Sequence, residues 1–206
     1  ILGSQNVSRL AIKNQIETVI GISTDKTAPP IGNLYGMSKA VMERLFLSLD
    51  KKTSTNFSCV RFGNIAWSTG SVFPIWDEMM AKNNFIESTG SEMNRFFFTC
   101  DEASDLVIRC LKNINKTKGN IFLKEMKCAK ISDILDIWCK KFNVEWSVSK
   151  KRLGDKNDEF LLKGYAQPWE EMIIDRSAVD SDKFDDFFLM QDATDAIGKT
   201  MTIALL

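Results

Sequence analysis

The chain has 206 residues, 44% apolar and 26% charged, with 27 basic and 27 acidic side chains; that is enough for one domain and part of a second around a buried core, and zero net charge argues against an electrostatic nucleic-acid binder. No apolar run approaches the roughly 18 residues that span a membrane and no signal-peptide pattern opens the sequence, so a cytoplasmic protein without a membrane partner is expected. The five cysteines (Cys59, Cys100, Cys110, Cys128, Cys139) form no C-x-x-C pair and histidine is absent, which disfavours a disulfide framework and a metal site and leaves acid–base chemistry to Asp, Glu, Lys, Tyr or Cys.

Val7, Leu10 and Ala11 recur at helical spacing and predict a helix over 6–15. The run Thr18-Val19-Ile20-Gly21-Ile22-Ser23 is apolar on both faces and predicts a strand buried in a parallel sheet. Two prolines and a Gly-Asn make 24–34 a loop. Met37, Val41, Met42, Leu45, Phe46 and Leu49 form one stripe, so a helix runs to about residue 50. A strand over 57–62, a glycine-containing loop over 63–71 and a helix over 73–82 with Pro74 in its first turn follow. A short strand covers 95–98, and Thr99 with Glu102 reads as a capping box for a helix through residue 111. Next come a strand over 120–124, a helix over 133–141 capped by Ser132, a strand over 144–148, a charged loop over 150–158 and a strand over 169–174. Past Asp175 the pattern weakens and Asp180, Asp182, Asp185 and Asp186 cluster. Alternating strand and helix predict an α/β architecture with a parallel sheet.

Tyr35 and Lys39 stand four apart at the start of the long helix, which puts them on one face. An ammonium beside a phenol favours the phenolate, and such a tyrosine can take a hydroxyl proton while hydride leaves the same carbon. Alone the pair is as compatible with an ordinary helix surface. Its setting sharpens it: the preceding strand ends in Ser23-Thr24-Asp25-Lys26 and the next in Arg61-Phe62-Gly63-Asn64. Sites in open parallel sheets lie beyond the carboxyl ends of the strands.

Those segments occur in order with Asn33-Leu34-Tyr35-Gly36-Met37-Ser38-Lys39, Gly70-Ser71-Val72-Phe73-Pro74, Met93-Asn94-Arg95-Phe96-Phe97 and Arg152-Leu153-Gly154-Asp155. The series resembles the extended short-chain dehydrogenase/reductase superfamily. Within it, the series is similar to the polysaccharide-biosynthesis nucleotide-sugar dehydratases, of which the inverting UDP-N-acetylglucosamine 4,6-dehydratase is the nearest activity. The likeness covers roughly residues 6–159. Tyr-x-x-x-Lys marks the superfamily; Thr24-Asp25-Lys26 together with the arginine-phenylalanine strand narrows it to dehydratases, since related epimerases and decarboxylases usually lack the Asp-Lys pair.

The resemblance implies the C-terminal part of a Rossmann-like doubly wound sheet with a small α+β substrate-binding region. The implied divisions are 1–115 (partial dinucleotide-binding domain), 116–178 (substrate region) and 179–206 (tail of uncertain structure). The implied partners are a nucleotide-sugar substrate, NADP or NAD, and further copies of the full-length chain. Tyr35 would deprotonate the sugar C4 hydroxyl, with Lys39 holding the nicotinamide ribose. Lys26 would take the C5 proton, Asp25 would protonate the leaving C6 hydroxyl, and Thr24 would hydrogen-bond the C4 oxygen. Phe62 and Gly63 would complete the cofactor contacts. Asn64 and Arg95 would bind the diphosphate, Ser71 and Val72 would line the sugar-nucleotide site, and Arg152 and Asp155 would hold the pyrophosphate and the uridine ribose. The pattern also departs from the family. No glycine-rich G-x-x-G-x-x-G loop is present, the 26–35 loop is one residue longer than usual, and Leu153 replaces a common proline. A truncated chain that binds nicotinamide cofactor poorly is therefore expected. The competing readings are a 4-epimerase or other short-chain reductase, which needs only Tyr35 and Lys39, and a non-catalytic binding or assembly module.

Overall fold

The computed structural model describes residues 1–29, 31–124, 126–150, 155–159 and 187–190. Arg152 and the expected strand over 169–174 lie outside these residues, as does most of the 179–206 tail. Helix α1 (Leu2–Lys13) leads into strand β1 (Thr18–Thr24), a single 3-10 turn over Asp25–Thr27 and the long helix α2 (Leu34–Asp50). Strand β2 (Asn56–Phe62) runs parallel to β1, with Thr24 opposite Phe62, so the two strand ends picked out by their polar residues lie side by side. The two-residue strand β3 (Asn64–Ile65) and helix α3 (Val72–Asn83) follow. Then come strands β4 (Phe85–Thr89) and β5 (Asn94–Phe98), helix α4 (Cys100–Lys112) and the single-turn helix α5 (Ile114–Thr117). Strands β6 (Ile121–Lys124) and β7 (Lys127–Lys130), helix α6 (Ile131–Phe142), strand β8 (Glu145–Ser149) and strand β9 (Phe187–Met190) complete the order.

Among the described residues these strands form three sheets. The main sheet has the order β1-β2-β6-β9, parallel throughout β1-β2-β6 and closed by an antiparallel β9. A smaller sheet, β3-β5-β7, and the parallel pair β4-β8 lie apart from it. β6 lies past residue 115, yet it hydrogen-bonds in the main sheet beside β2. The stripe on α2 buries Met42 and Phe46 against Phe57 and Val60 of β2, with Leu106 of α4 and Phe122 of β6 in the same core. Phe46 and Phe57 meet edge to face at 4.7 Å. A second core gathers Trp76 of α3, Ile86 of β4, and Ile131 and Leu135 of α6.

Several local expectations change, and α5 and β9 lie where no helix or strand was expected. α1 begins at Leu2, four residues before the expected start. α6 begins at Ile131 with Lys130 as its N-cap, so Ser132 sits inside the first turn and its hydroxyl turns to Asp133. β3 lies in the expected 63–71 loop, paired to β5. β4 and β7 lie where no strand was expected: buried Ser88 blurs the alternation of β4, and Lys127-Cys128-Ala129-Lys130 carries no β-branched residue. The capping box forms as expected. The Glu102 amide donates to Thr99 Oγ1 at 3.1 Å and the Thr99 amide to Glu102 Oε2 at 2.8 Å.

Candidate active site

The carboxyl end of β1 turns directly into the 3-10 turn, because Thr24 caps it with its own side chain. Asp25 is fully buried. Its Oδ1 accepts from Thr24 Oγ1 at 2.9 Å and from Lys26 Nζ at 3.0 Å, while Oδ2 accepts no hydrogen bond. Buried carboxylate oxygens are seldom left without a donor, so Oδ2 has capacity for one. Lys26 keeps about a quarter of its side chain in solvent. Thr24, Asp25 and Lys26 thus form one hydrogen-bonded group.

The first turn of α2 rests on that group. Asn33 caps it, accepting from the Gly36 amide at 2.7 Å. A Cβ at Gly36 would lie 2.3 Å from the Lys26 carbonyl oxygen, so glycine is what lets α2 and the 3-10 turn touch. Tyr35 stands at this contact with half its surface exposed. Lys39, one turn on, donates to the Ile22 carbonyl of β1 at 2.8 Å. Burial pulls its ammonium below the ordinary range, offset in part by the charges of Cys59 and Glu43.

Beneath the surface lies a buried ion pair that the sequence reading did not single out. Glu43, one turn past Lys39, accepts from Arg61 Nε at 2.7 Å and from Arg61 Nη2 at 2.8 Å. Ser23 Oγ and Thr27 Oγ1 donate to the same carboxylate at 2.6 and 3.1 Å. Burial alone would lower the Arg61 guanidinium, but Glu43's charge and hydrogen bonds, with Cys59 and Asp25 behind them, carry it above its ordinary value. The signal was a glutamate four residues after Lys39 on the helix face that also carries Ala40 and Leu47 to the interior.

Those of the expected substrate-binding residues that are described gather in one place, whose lining includes none of Thr24, Asp25, Lys26, Tyr35 or Lys39. Asn64, Ser71, Val72, Arg95 and Asp155 line one cleft of about 180 Å³. Ser71 is the N-cap of α3, and its buried hydroxyl has no hydrogen-bond partner. Asn64 Nδ2 donates to the Phe96 carbonyl at 3.0 Å. Arg95 donates to the carbonyls of Lys156 (2.9 Å), Asn157 (3.1 Å) and Asn94 (2.8 Å), holding the segment that carries Asp155. Phe62 is buried against Phe98 at 5.9 Å, and Gly63 is pressed against Phe96; what both can offer a ligand is backbone. Among the described residues there is no cluster able to hold a metal ion and no helix long and apolar enough to cross a membrane.

Residues 1–192 match the family described as polysaccharide biosynthesis protein. The uncharacterized membrane protein MJ1061 of Methanocaldococcus jannaschii is 29% identical over 198 residues, 92% of this chain and 56% of its own length. A UDP-glucose 4-epimerase of Rickettsia bellii is 34% identical over 79% of this chain and 48% of its own. The inverting UDP-N-acetylglucosamine 4,6-dehydratase of Campylobacter jejuni is 28% identical over the same shares, 79% and 48%. The chain therefore spans about half the length of these curated relatives. Among solved structures, the dTDP-glucose 4,6-dehydratase DesIV of Streptomyces venezuelae, crystallised with NAD, superposes with a TM-score of 0.67 at 13% identity, over 87% of this chain and 61% of that one. The fold is the Rossmann-type α/β fold of such proteins.

Proposed function

The chain belongs to the polysaccharide biosynthesis protein family, and from that premise we propose that it carries the catalytic turn and substrate cleft of an NAD(P)-dependent nucleotide-sugar 4,6-dehydratase, acting on UDP-N-acetylglucosamine or a close relative. One observation carries this reading: Thr24, Asp25 and Lys26 form a single hydrogen-bonded group against the helix turn that bears Tyr35. An epimerase needs Tyr35 and Lys39 but has no use for a second, buried acid–base pair. The residues present fit a nicotinamide. Tyr35 offers an exposed phenol at the strand end, and Lys39 is anchored at the Ile22 carbonyl within reach of a ribose. When bound there, the cofactor supplies the hydride acceptor and donor.

The chain's own residues then divide the proton chemistry. Tyr35 removes the C4 hydroxyl proton, and Thr24 holds the resulting C4 oxygen. The ketone at C4 acidifies the C5 proton, which Lys26 takes. The proton shared across the 3.0 Å Lys26–Asp25 contact rests on Asp25 at this stage, which leaves Lys26 a neutral amine, and Asp25 gives it to the C6 hydroxyl, which departs as water. Lys26, whose proton exchanges with solvent, then returns one to C5 as hydride reaches C6, and the C4 hydroxyl proton held by Tyr35 goes back through solvent to Asp25, so two protons are taken and two are given. For the nucleotide, the α3 N-terminus with the unpartnered Ser71 hydroxyl offers donors to a diphosphate, and Arg95, whose Nη hydrogens hold the 155–159 segment and Met93, adds its positive charge to the cleft. Asp155 offers an acceptor to ribose hydroxyls.

The epimerase relatives favour a second reading, in which the same Tyr35 and Lys39 oxidise C4 and return hydride to its other face. One experiment separates the two. The complete gene product is incubated with UDP-N-acetylglucosamine and NAD(P) in heavy water. The dehydratase yields a 4-keto sugar lighter by one water with deuterium at C5 and the former C4 hydrogen at C6. A C4 epimer of unchanged mass, with no deuterium at C5, would establish the alternative.

A further inference from the structure

A strap from the far side of the cleft reaches the catalytic turn. Residues 155–159 lie along β5. The Asn94 amide donates to the Asn157 carbonyl at 2.8 Å, the Asn94 side chain to Asp158 Oδ1 at 2.8 Å, and Arg95 to the carbonyls of Lys156 and Asn157. From this fixed backbone two side chains point back toward β1. Lys156 Nζ donates to the Ala28 carbonyl at 3.2 Å and lies 3.1 Å from Glu159 Oε2. Glu159, 2% exposed, places Oε1 3.9 Å from Lys26 Nζ.

We propose that Glu159 is a positioning residue for Lys26: with Lys156 it extends the Asp25–Lys26 pair into a four-membered ion cluster, so that the strap bringing Asp155 to the cleft also sets the Lys26 amine for attack on C5. The use at C5 rests on the dehydratase reading; the positioning itself does not.

A lysine amine rides on a flexible four-carbon stem, and Asp25, its immediate neighbour in sequence, restrains it from one side only. Glu159 supplies the second restraint from a segment fixed to β5. Two buried carboxylates in one place are tolerable only if paired, and the cluster balances them with two ammoniums. Asp25 Oδ2 is also a buried oxygen without a hydrogen bond, while Glu159 turns Oε2 to Lys156 and Oε1 to Lys26, so acceptors face Lys26 from both sides. The charged and titratable groups around Lys26 are Asp25 of its own turn and Glu159 and Lys156 of the strap, with Tyr35 in the helix turn that meets its carbonyl.

The test uses Glu159→Gln, Glu159→Asp and Lys156→Met in the complete gene product. In Glu159→Gln, deuterium uptake at C5 should fall about 100-fold in kcat, the scale of an ångström's misplacement, with KM within about threefold. C4 oxidation, read as reduced nicotinamide in a single turnover, should hold its rate. Glu159→Asp should recover part of the loss. Equal slowing of both steps, or no slowing, overturns the proposal. A second readout needs no turnover: reductive methylation of Lys26, followed by peptide mass spectrometry against exposed Lys51. Loss of one charged contact should speed Lys26 labelling roughly tenfold in Glu159→Gln. Unchanged labelling overturns the positioning role. Should the wild type epimerise without losing water, the dehydratase reading falls and this labelling decides the positioning role by itself. Should Glu159→Gln not fold, Lys156→Met carries the same labelling comparison, with a smaller increase expected.

Discussion

Replacing Glu43 by alanine should unfold far more of the site than a single side chain suggests. Glu43 and Arg61 are each about 4% exposed at the side chain, and the carboxylate accepts four hydrogen bonds from Arg61, Ser23 and Thr27. Alanine removes the main cause that raises Arg61 and leaves the burial that lowers it, but a guanidinium titrates so far above neutral pH that it stays charged, now buried without its counter-charge. Breaking one partner of such a pair costs about 3–5 kcal/mol. For a chain of this size each kcal/mol moves the melting temperature about 2–4 °C, so Glu43→Ala should melt about 6–20 °C below wild type. The double variant Glu43→Leu/Arg61→Met removes both charges and keeps apolar volume, and should return to within about 2 kcal/mol of wild type. Urea melts of the three proteins, with calorimetry for the midpoints, measure both values. A loss under about 1 kcal/mol in Glu43→Ala, or a double variant no better than the single, would refute the claim that this pair ties α2 to β1 and β2.

Gly36→Ala should force α2 and the 3-10 turn apart by at least roughly 0.7 Å, since a Cβ–oxygen distance of 2.3 Å must open to about 3.0 Å; turnover should fall about 100-fold, and steady-state kinetics with wild-type folding by circular dichroism check it. Burial pushes the Cys59 thiol far up, reinforced by Glu43 and Cys110 against the pull of Arg61 and Lys39, so iodoacetamide should label exposed Cys100 in the native protein and reach Cys59 only on unfolding. The native state keeps the raised Cys59 and Cys110 thiols protonated where the unfolded chain, with thiols near about 8.5, loses them; stability should therefore fall as pH rises above about 9, read by urea melts. Lys39, lowered in the folded state, acts in the opposite sense toward about pH 10.5, and two thiols outweigh one half-buried amine. Thr99→Ala removes the cap of α4 and should cost about 1 kcal/mol, seen as a melting point lower by a few degrees.

What could be read from the sequence follows the range of the forces involved. β1, β2, α2 and α4 were legible because each buries a long periodic or continuous apolar run. The side-by-side strand ends and the Tyr35–Lys39 turn followed from residues within one turn of each other. β3 and β7 were illegible because pairing to β5, not side-chain pattern, makes them strands. The Glu43–Arg61 pair escaped for a related reason: Glu43 shares its helix face with Ala40 and Leu47, but its partner Arg61 stands 18 residues further on, in β2. Glu159 escaped because its partner is Lys26, more than a hundred residues earlier in the chain.

That distance also bears on the order in which the protein assembles. The cleft is made by bonds between residues far apart in sequence: Asn64 to the Phe96 carbonyl across 32 positions, Arg95 to Lys156 across 61, Lys156 to the Ala28 carbonyl across 128. The β1-α2-β2 unit closes over short separations and can form early, whereas each long loop must lose its entropy before its contact is gained. The strap over 155–159 is thus a late arrival, docking onto a sheet already formed. Late elements held by a few polar bonds are the first to open. Amide hydrogens of Asn94 and its neighbours on the strap should exchange well ahead of those in β2, and bound nucleotide should slow them most.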